Sequence, residues 1–446
     1  MQSRYFFDNK ALITLIVPLI IEQLLSMLVG MADSIMIANV GETAVSGVSL
    51  VEQIIILIIN AFSALATGGT IIAGQYLGHE VPQKACESAT QLVWFVTLCS
   101  IIVTASIYAG KSVILHKMFG QVSSDVMYHA NTYFTIVIIS IPFIAMYNAG
   151  TSIFRTMGNS KVPMAVSVIM NILNVSGNAL LIYGFHRGTE GVAFPTLISR
   201  MFAALTILIL LCNEDRTVHI KKAWHYRIDW AHVKRILSLG IPNGLEDSLF
   251  QLGKLMVLSL IAAFGTHEIT ANAVSNSIIL FQLLPGLSIN LAVITVIARC
   301  TGAGDYEQAE YYNRKLLIIT HICITITVLG TFMALPYILK IYKLSKATAS
   351  ITRRLVYLHG ISAMLIWPAS FTLPATFRAS GDVKLCMGIS MISMWTFRIG
   401  FSCILGKYMG MGVLGVWTAR IIDWGFRAFC FSFRYFSGKW KKSSLV

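Results

Sequence analysis

Charged and amide side chains are scarce in this sequence, and several recur at helical spacing inside long apolar runs. Asp33 stands in the stretch Leu28-Val-Gly-Met-Ala-Asp33, and Glu22 lies eleven residues before it. That interval is about three helical turns, which puts both carboxylates on one face. Pro18, one turn before Glu22, removes a backbone donor and marks a bend. A charge inside the bilayer costs about 3 kcal/mol or more, so it pairs, lines water or works. A bent helix with two acids on its inner face is suited to bind a cation or take up a proton.

Asn171, Asn174 and Asn178 follow at spacings of three and four and share a face. Their amide oxygens suit a hard cation, and their amides equally suit bonding to a neighbouring helix. Thr196, after Pro195, offers one more oxygen. Further on, Pro242 precedes Glu246 and Asp247, with Lys254 two turns beyond. These are candidates for a second coupling or substrate site, or for an internal Asp247–Lys254 charge pair. Arg420, Asp423 and Arg427 read as a structural ion triad. Phe154-Arg155 and Phe377-Arg378 read as interface anchors at helix ends.

These groups must be positioned by membrane helices. Of 446 residues, 56% are hydrophobic and only 12% charged. So few charges cannot cover the surface of a soluble protein. Twelve apolar runs are long enough to span a bilayer, near 11–37, 48–74, 89–109, 131–153, 163–184, 191–212, 236–262, 273–298, 316–339, 356–377, 385–407 and 413–433. The first is too long for a signal-peptide core, so it reads as a helix that stays. The net charge of +14 belongs to the connections. With both termini in the cytoplasm, twenty Lys and Arg fall on the cytoplasmic side and nine outside, the bias expected of a cell-membrane protein. That distribution argues against nucleic acid as a partner and leaves lipid as the surroundings. The eight cysteines form no CxxC, and no P-loop, HExxH, GxSxG or CxxCH occurs. No enzyme chemistry and no cofactor are expected.

The chain repeats itself. Displaced by 224 residues, Pro18 falls on Pro242, Glu22 on Glu246, Gly41 on Gly265 and Gly78 on Gly302. At 223, Phe154-Arg155 falls on Phe377-Arg378 and Gly158 on Gly381. The expected organisation is an N-lobe over 1–212, a cytoplasmic linker over 213–235 and a C-lobe over 236–446. The fold class is all-α: a polytopic membrane protein with twelve transmembrane helices in two parallel six-helix bundles. Six spans per repeat preserve orientation, so a pseudo-twofold axis along the membrane normal relates the bundles.

The sequence resembles the MATE family, the multidrug and toxic compound extrusion transporters, over essentially its whole length. The resemblance rests on Pro18-Leu-Ile-Ile-Glu-Gln-Leu-Leu-Ser-Met-Leu-Val-Gly-Met-Ala-Asp33 through Val40-Gly41. Ala73-Gly-Gln-Tyr-Leu-Gly78, Phe154-Arg-Thr-Met-Gly158 and Gly240-Ile-Pro-Asn-Gly carry it further. It implies an antiporter, driven by H⁺ or Na⁺, that expels organic, mostly cationic amphipathic compounds by alternating access; a monomer is expected. In many relatives a cation site combines an Asp, an Asn-x-x-x-Asp pair and a Thr. Those positions fall here on Asp33, Asn174, Asn178 and Thr196, which would also be the ligands if the ion is Na⁺. Asn178 departs from the pattern by removing one carboxylate. Pro18 and Pro242 are the implied hinges, with Glu22, Asn171, Glu246, Asp247 and Lys254 as secondary coupling or substrate residues. Another branch uses acids in its seventh and tenth helices; no acid occurs from 356 to 377 here. Two alternatives remain: a flippase for a lipid-linked saccharide, which would need a strongly basic site, and a non-transporting receptor or scaffold.

Overall fold

The computed structural model describes residues 6–119, 122–220 and 228–442. Twelve long helical segments run through them, and no strand occurs among the described residues. They are α1 (Asn9–Ala38), α2 (Glu42–Gly78), α3 (Pro82–Phe119), α4 (Ser124–Thr156), α5 (Lys161–Gly184) and α6 (Glu190–Leu211). The second set is α7 (Trp230–Ala262), α8 (Thr266–Gly302), α9 (Tyr306–Ile341), α10 (Lys346–Ala379), α11 (Val383–Tyr408) and α12 (Gly412–Phe436). Ten are long and apolar enough to cross a membrane by length and composition. The other two, α7 and α12, each carry three of the embedded charges discussed below. In hydrocarbon every backbone polar group must be satisfied within its own segment, which is why spans of this composition are helical throughout.

Local sequence sets the ends. Asp8 caps α1 by accepting from the Ala11 N–H at 2.6 Å, and Asp305 caps α9 through Gln308 N. Gly41 and Gly265 precede α2 and α8 with φ of 141° and 112°, backbone that favours glycine. The duplicated glycines therefore mark duplicated turns. At the entry to α7, His232 hydrogen-bonds Asp229 and holds its carboxyl below the usual range; the Ala231 N–H adds to the effect.

The chain divides into two compact units. One is Phe7–Gly244; the other is Leu245–Val446, joined by Phe6. In the first, α1 packs on α5, α2 on α3 and α4, and α6 on α4 and α5. In the second, α8 packs on α9 and α10, and α12 on α10 and α11. Trp417, Val257, Ala271 and Leu355 form one core cluster there, and Trp367, Trp424 and Val328 another. The boundary lies inside α7, past the expected 236, because the first turns of α7 pack on α2. A Cβ on Gly240 would lie 2.8 Å from Leu65 Cδ2, and Arg235 donates to Tyr76 Oη at 2.7 Å. The expected linker is also occupied in part: Val218 N–H reaches Met157 Sδ, and Arg216 lies 4.8 Å over the Phe154 ring. Its residues 221–227 lie outside the described residues. All eight cysteines are free thiols.

Candidate functional site

In the first unit, α1, α5 and α6 bring Asp33, Asn178, Asn174 and Thr196 into one hydrogen-bonded chain. Asn178 Nδ2 donates to Asp33 Oδ1 at 2.6 Å and to Asn174 Oδ1 at 3.3 Å. Asn174 Nδ2 donates to Thr196 Oγ1 at 3.1 Å, and Thr196 donates to Val192 O at 2.8 Å. Both asparagines and Thr196 are buried, and Asp33 is half-buried. The approach of α5 to α6 depends on Gly177, where a Cβ would come within 2.8 Å of Pro195 Cβ. Asn178 Oδ1 is buried without a hydrogen-bond partner. The site thus holds one carboxylate stabilised by an amide N–H, and one amide oxygen in reserve. Asn171 is buried on the same helix, but its Nδ2 makes no hydrogen bond and it stands outside the chain.

Three further groups surround this site. Glu52 on α2 accepts from Tyr133 Oη on α4. Arg200 on α6 donates to Ser140 Oγ at 2.8 Å. Glu52 and Arg200 are the charged groups that act on Asp33. Ser140 sits in a 3₁₀ turn, Ile138–Ser140, at the Pro142 irregularity of α4. Glu52 and Tyr133 are not among the site residues expected from the sequence. An acid within a predicted span was signal enough for Glu52; nothing in the sequence pointed to Tyr133.

Glu22 does not join this chain. It is buried and accepts from Arg155 Nη2 at 2.8 Å. In the second unit Glu246 accepts from Arg378 Nη2 at 2.7 Å. Arg155 and Arg378 are therefore not the interface anchors expected. Each neutralises the glutamate of its own repeat, because a buried carboxylate needs a charge-assisted partner. Pro18 and Pro242 are buried inside α1 and α7, one turn before those glutamates.

The triad expected on α12 is also rearranged. Asp423 pairs with Arg427 at 3.1 Å and with Arg398 of α11 at 3.7 Å, and Ser393 donates to it as well. Arg420 instead lies 4.3 Å over the Trp417 ring and donates to Asn276 at 3.4 Å. The cause is π-helical winding of α11 over Ser393–Gly400, which brings Ser393 and Arg398 onto the Asp423 side of α12. No ion pair joins Asp247 to Lys254 among the described residues. Lys254 lies 4.8 Å over the Phe250 ring, and Asp247 is exposed.

Duplicated six-helix units with a polar chain buried among apolar helices define the architecture of a secondary transporter. Comparison with known proteins gives the family. The MatE family model matches twice, over residues 18–180 and 242–404, once per repeat and at the same displacement of 224. The chain belongs to this family of membrane transporters. It is 28% identical to the uncharacterized transporter YisQ of Bacillus subtilis, covering 98% of this chain and 96% of that protein. It is 24% identical to the probable multidrug resistance protein NorM of Thermotoga maritima, covering 98% and 94%. Among solved structures, an outward-facing multidrug resistance MATE family transporter superposes with a TM-score of 0.90 at 20% identity, over 97% of this chain and 96% of the other. That likeness bears on the fold.

Proposed function

We propose that this protein is a cation-coupled efflux antiporter of the cell membrane, with both termini in the cytoplasm. It exchanges inward H⁺ or Na⁺ for outward movement of small amphipathic organic compounds, cationic ones among them, works as a monomer and needs no cofactor. The observation that carries the reading is the Asp33–Asn178–Asn174–Thr196 chain, with its single carboxylate inside an apolar bundle. A proton on Asp33 removes the charge that strengthens the 2.6 Å bond from Asn178 Nδ2, so the link between the two side chains weakens. Na⁺ would instead use Asp33 and the unpartnered Asn178 Oδ1, with the oxygens of Asn174 and Thr196 completing the set. Either event loosens α1 from α5, and Pro18 lets α1 bend. Coupling follows when ion and substrate favour different states of the protein.

The test is ethidium efflux from liposomes under a Na⁺ gradient alone and under a pH gradient alone. Movement under either, lost in Asp33→Asn, is expected and names the ion. An Asp33→Asn protein that still pumps against a gradient would refute the coupling role.

A further inference from the structure

The displacement of 224 residues carries Asn174 onto Arg398, Thr196 onto Arg420 and Glu52 onto Asn276. Where the first unit has an amide, a hydroxyl and an acid, the second has two guanidinium groups and a neutral amide. Those guanidinium groups are not alone. Lys254 Nζ, Arg398 Cζ and Arg427 Cζ lie 4.8, 4.7 and 5.7 Å from one ring, that of Phe250. Arg398, Arg420 and Lys254 act on one another electrostatically.

The nearby carboxylates do not balance these cations. Glu246 is taken by Arg378, and Asp423 by Arg427 and Arg398. Among the described residues the carboxylates acting on Lys254, Arg378, Arg398 and Arg420 are Glu246, Asp247 and Asp423, which leaves an excess of positive charge. Arg398 is 5% exposed, and its Nη1 has no hydrogen-bond partner. Arg420 has one long bond to Asn276, and Lys254 has the Phe250 face. Three carboxylates shared among five cations leave part of the positive charge unbalanced, and embedding unbalanced charge is costly. A bound anion would offset that cost. Beside the cluster lies a small recess walled by Phe250, Met391, Met394 and Trp395, with Arg427, Ser390 and the Glu246 carboxylate, itself held by Arg378, at its polar edge.

We propose that the second unit holds a binding site for an amphipathic anion. A carboxylate, sulfonate or phosphate head would lie among Lys254, Arg398 and Arg420, with its apolar body against Phe250, Met394 and Trp395. The inference deepens the transport reading by assigning an acidic group to at least one class of its substrates. The methionines suit bodies of varied shape.

The test compares rhodamine B, a zwitterion with a free carboxylate, with its ethyl ester, which differs only in lacking that charge. Binding of each to the full-length protein in phosphatidylcholine nanodiscs is measured by fluorescence polarisation against empty nanodiscs. The wild type is expected to prefer rhodamine B by about tenfold. Lys254→Gln and Arg420→Gln should each cut that preference, and Arg420→Lys should keep most of it. Equal affinity for the two dyes in the wild type would overturn the proposal and needs no variant. So would a preference that survives Lys254→Gln and Arg420→Gln combined. Repeating the measurement with phosphatidylglycerol in the nanodisc distinguishes two sources of the anion. Loss of rhodamine B binding identifies a lipid headgroup as occupant, and retention identifies a soluble amphiphile; both keep the site. A preference found in a protein that moves no dye under any gradient would sink the transport reading and leave the anion site standing.

Discussion

The Glu22–Arg155 pair offers a direct test of what the duplicated acids do. The contact is 2.8 Å, Glu22 is 6% exposed, and the Arg155 side chain is 15% exposed. Solvent screening is therefore weak. Removing one partner leaves the other charge buried and unpaired, at a cost of about 3–5 kcal/mol. Replacing both by apolar residues of similar volume removes the attraction and both desolvation penalties together, and the net change is small. Glu22→Leu and Arg155→Met should thus each destabilise strongly. The double variant should recover to within about 1 kcal/mol of wild type. The assay is unfolding of the purified protein in mixed micelles with a rising fraction of denaturing detergent, followed by tryptophan fluorescence. The double variant should also still move dye under the coupling gradient, because the pair is a clamp between α1 and α4 and not an ion-uptake site. Two results would refute this reasoning: Glu22→Leu within about 0.5 kcal/mol of wild type, or a double variant showing the sum of the two single losses. A double variant as stable as wild type but uncoupled from the gradient would return Glu22 to the coupling machinery. The twin pair, Glu246 with Arg378 at 2.7 Å, should behave likewise with smaller losses, since the Arg378 side chain is 23% exposed.

Two further substitutions probe the site and its frame. Asn178→Asp would place a second carboxylate beside Asp33, where Asn178 Nδ2 now lies at 2.6 Å, and should tighten Na⁺ binding by about tenfold, read as the Na⁺ dependence of dye efflux. Gly415→Ala would push a Cβ to 2.7 Å from the Leu405 carbonyl where α11 meets α12; backbone cannot rotate away, so a loss of about 1–3 kcal/mol is expected in the same unfolding assay, and an unchanged stability would show that the two helices separate freely.

Much of the architecture was legible because a membrane span announces itself by length. All twelve apolar runs became helices, but most of their ends ran past the predicted ones. α3 covers Pro82–Phe119 where hydropathy pointed to 89–109. Hydropathy reports the hydrocarbon core, while a helix continues through polar residues beyond it. Asn171, Asn174 and Asn178 were legible as a group because a period of three or four fixes a face, whereas Thr196 and Asp33 joined them only through the family resemblance. What the pattern left out was the partner across the bundle. Arg155 looked like an anchor since its acid lies 133 residues away. Yet Glu22 and Arg155 recur together as Glu246 and Arg378, and joint recurrence of opposite charges was a signal of contact. The arrangement around Asp423 had no such signal, because π-helical winding in α11 shifts the face on which Arg398 lies.

The two repeats differ in a way that separates scaffold from function. Duplication kept the features on which the bundle itself depends: Gly41 and Gly265 at positive φ, Pro18 and Pro242 inside their helices, and one buried Glu–Arg pair in each unit. A change in any of these costs stability whatever the protein carries, so both copies retain them. Among the many positions that diverged are those of the polar chain itself. Asn174 and Thr196 correspond to Arg398 and Arg420, and Asp33 to Val257. A structural ion network would not need to lose its acid and gain cations at the positions that form the polar chain in the other copy. An uptake site for a cation in one unit and a seat for an anionic group in the other would require that change of sign, and Arg398 and Arg420 are where the two readings of this molecule part.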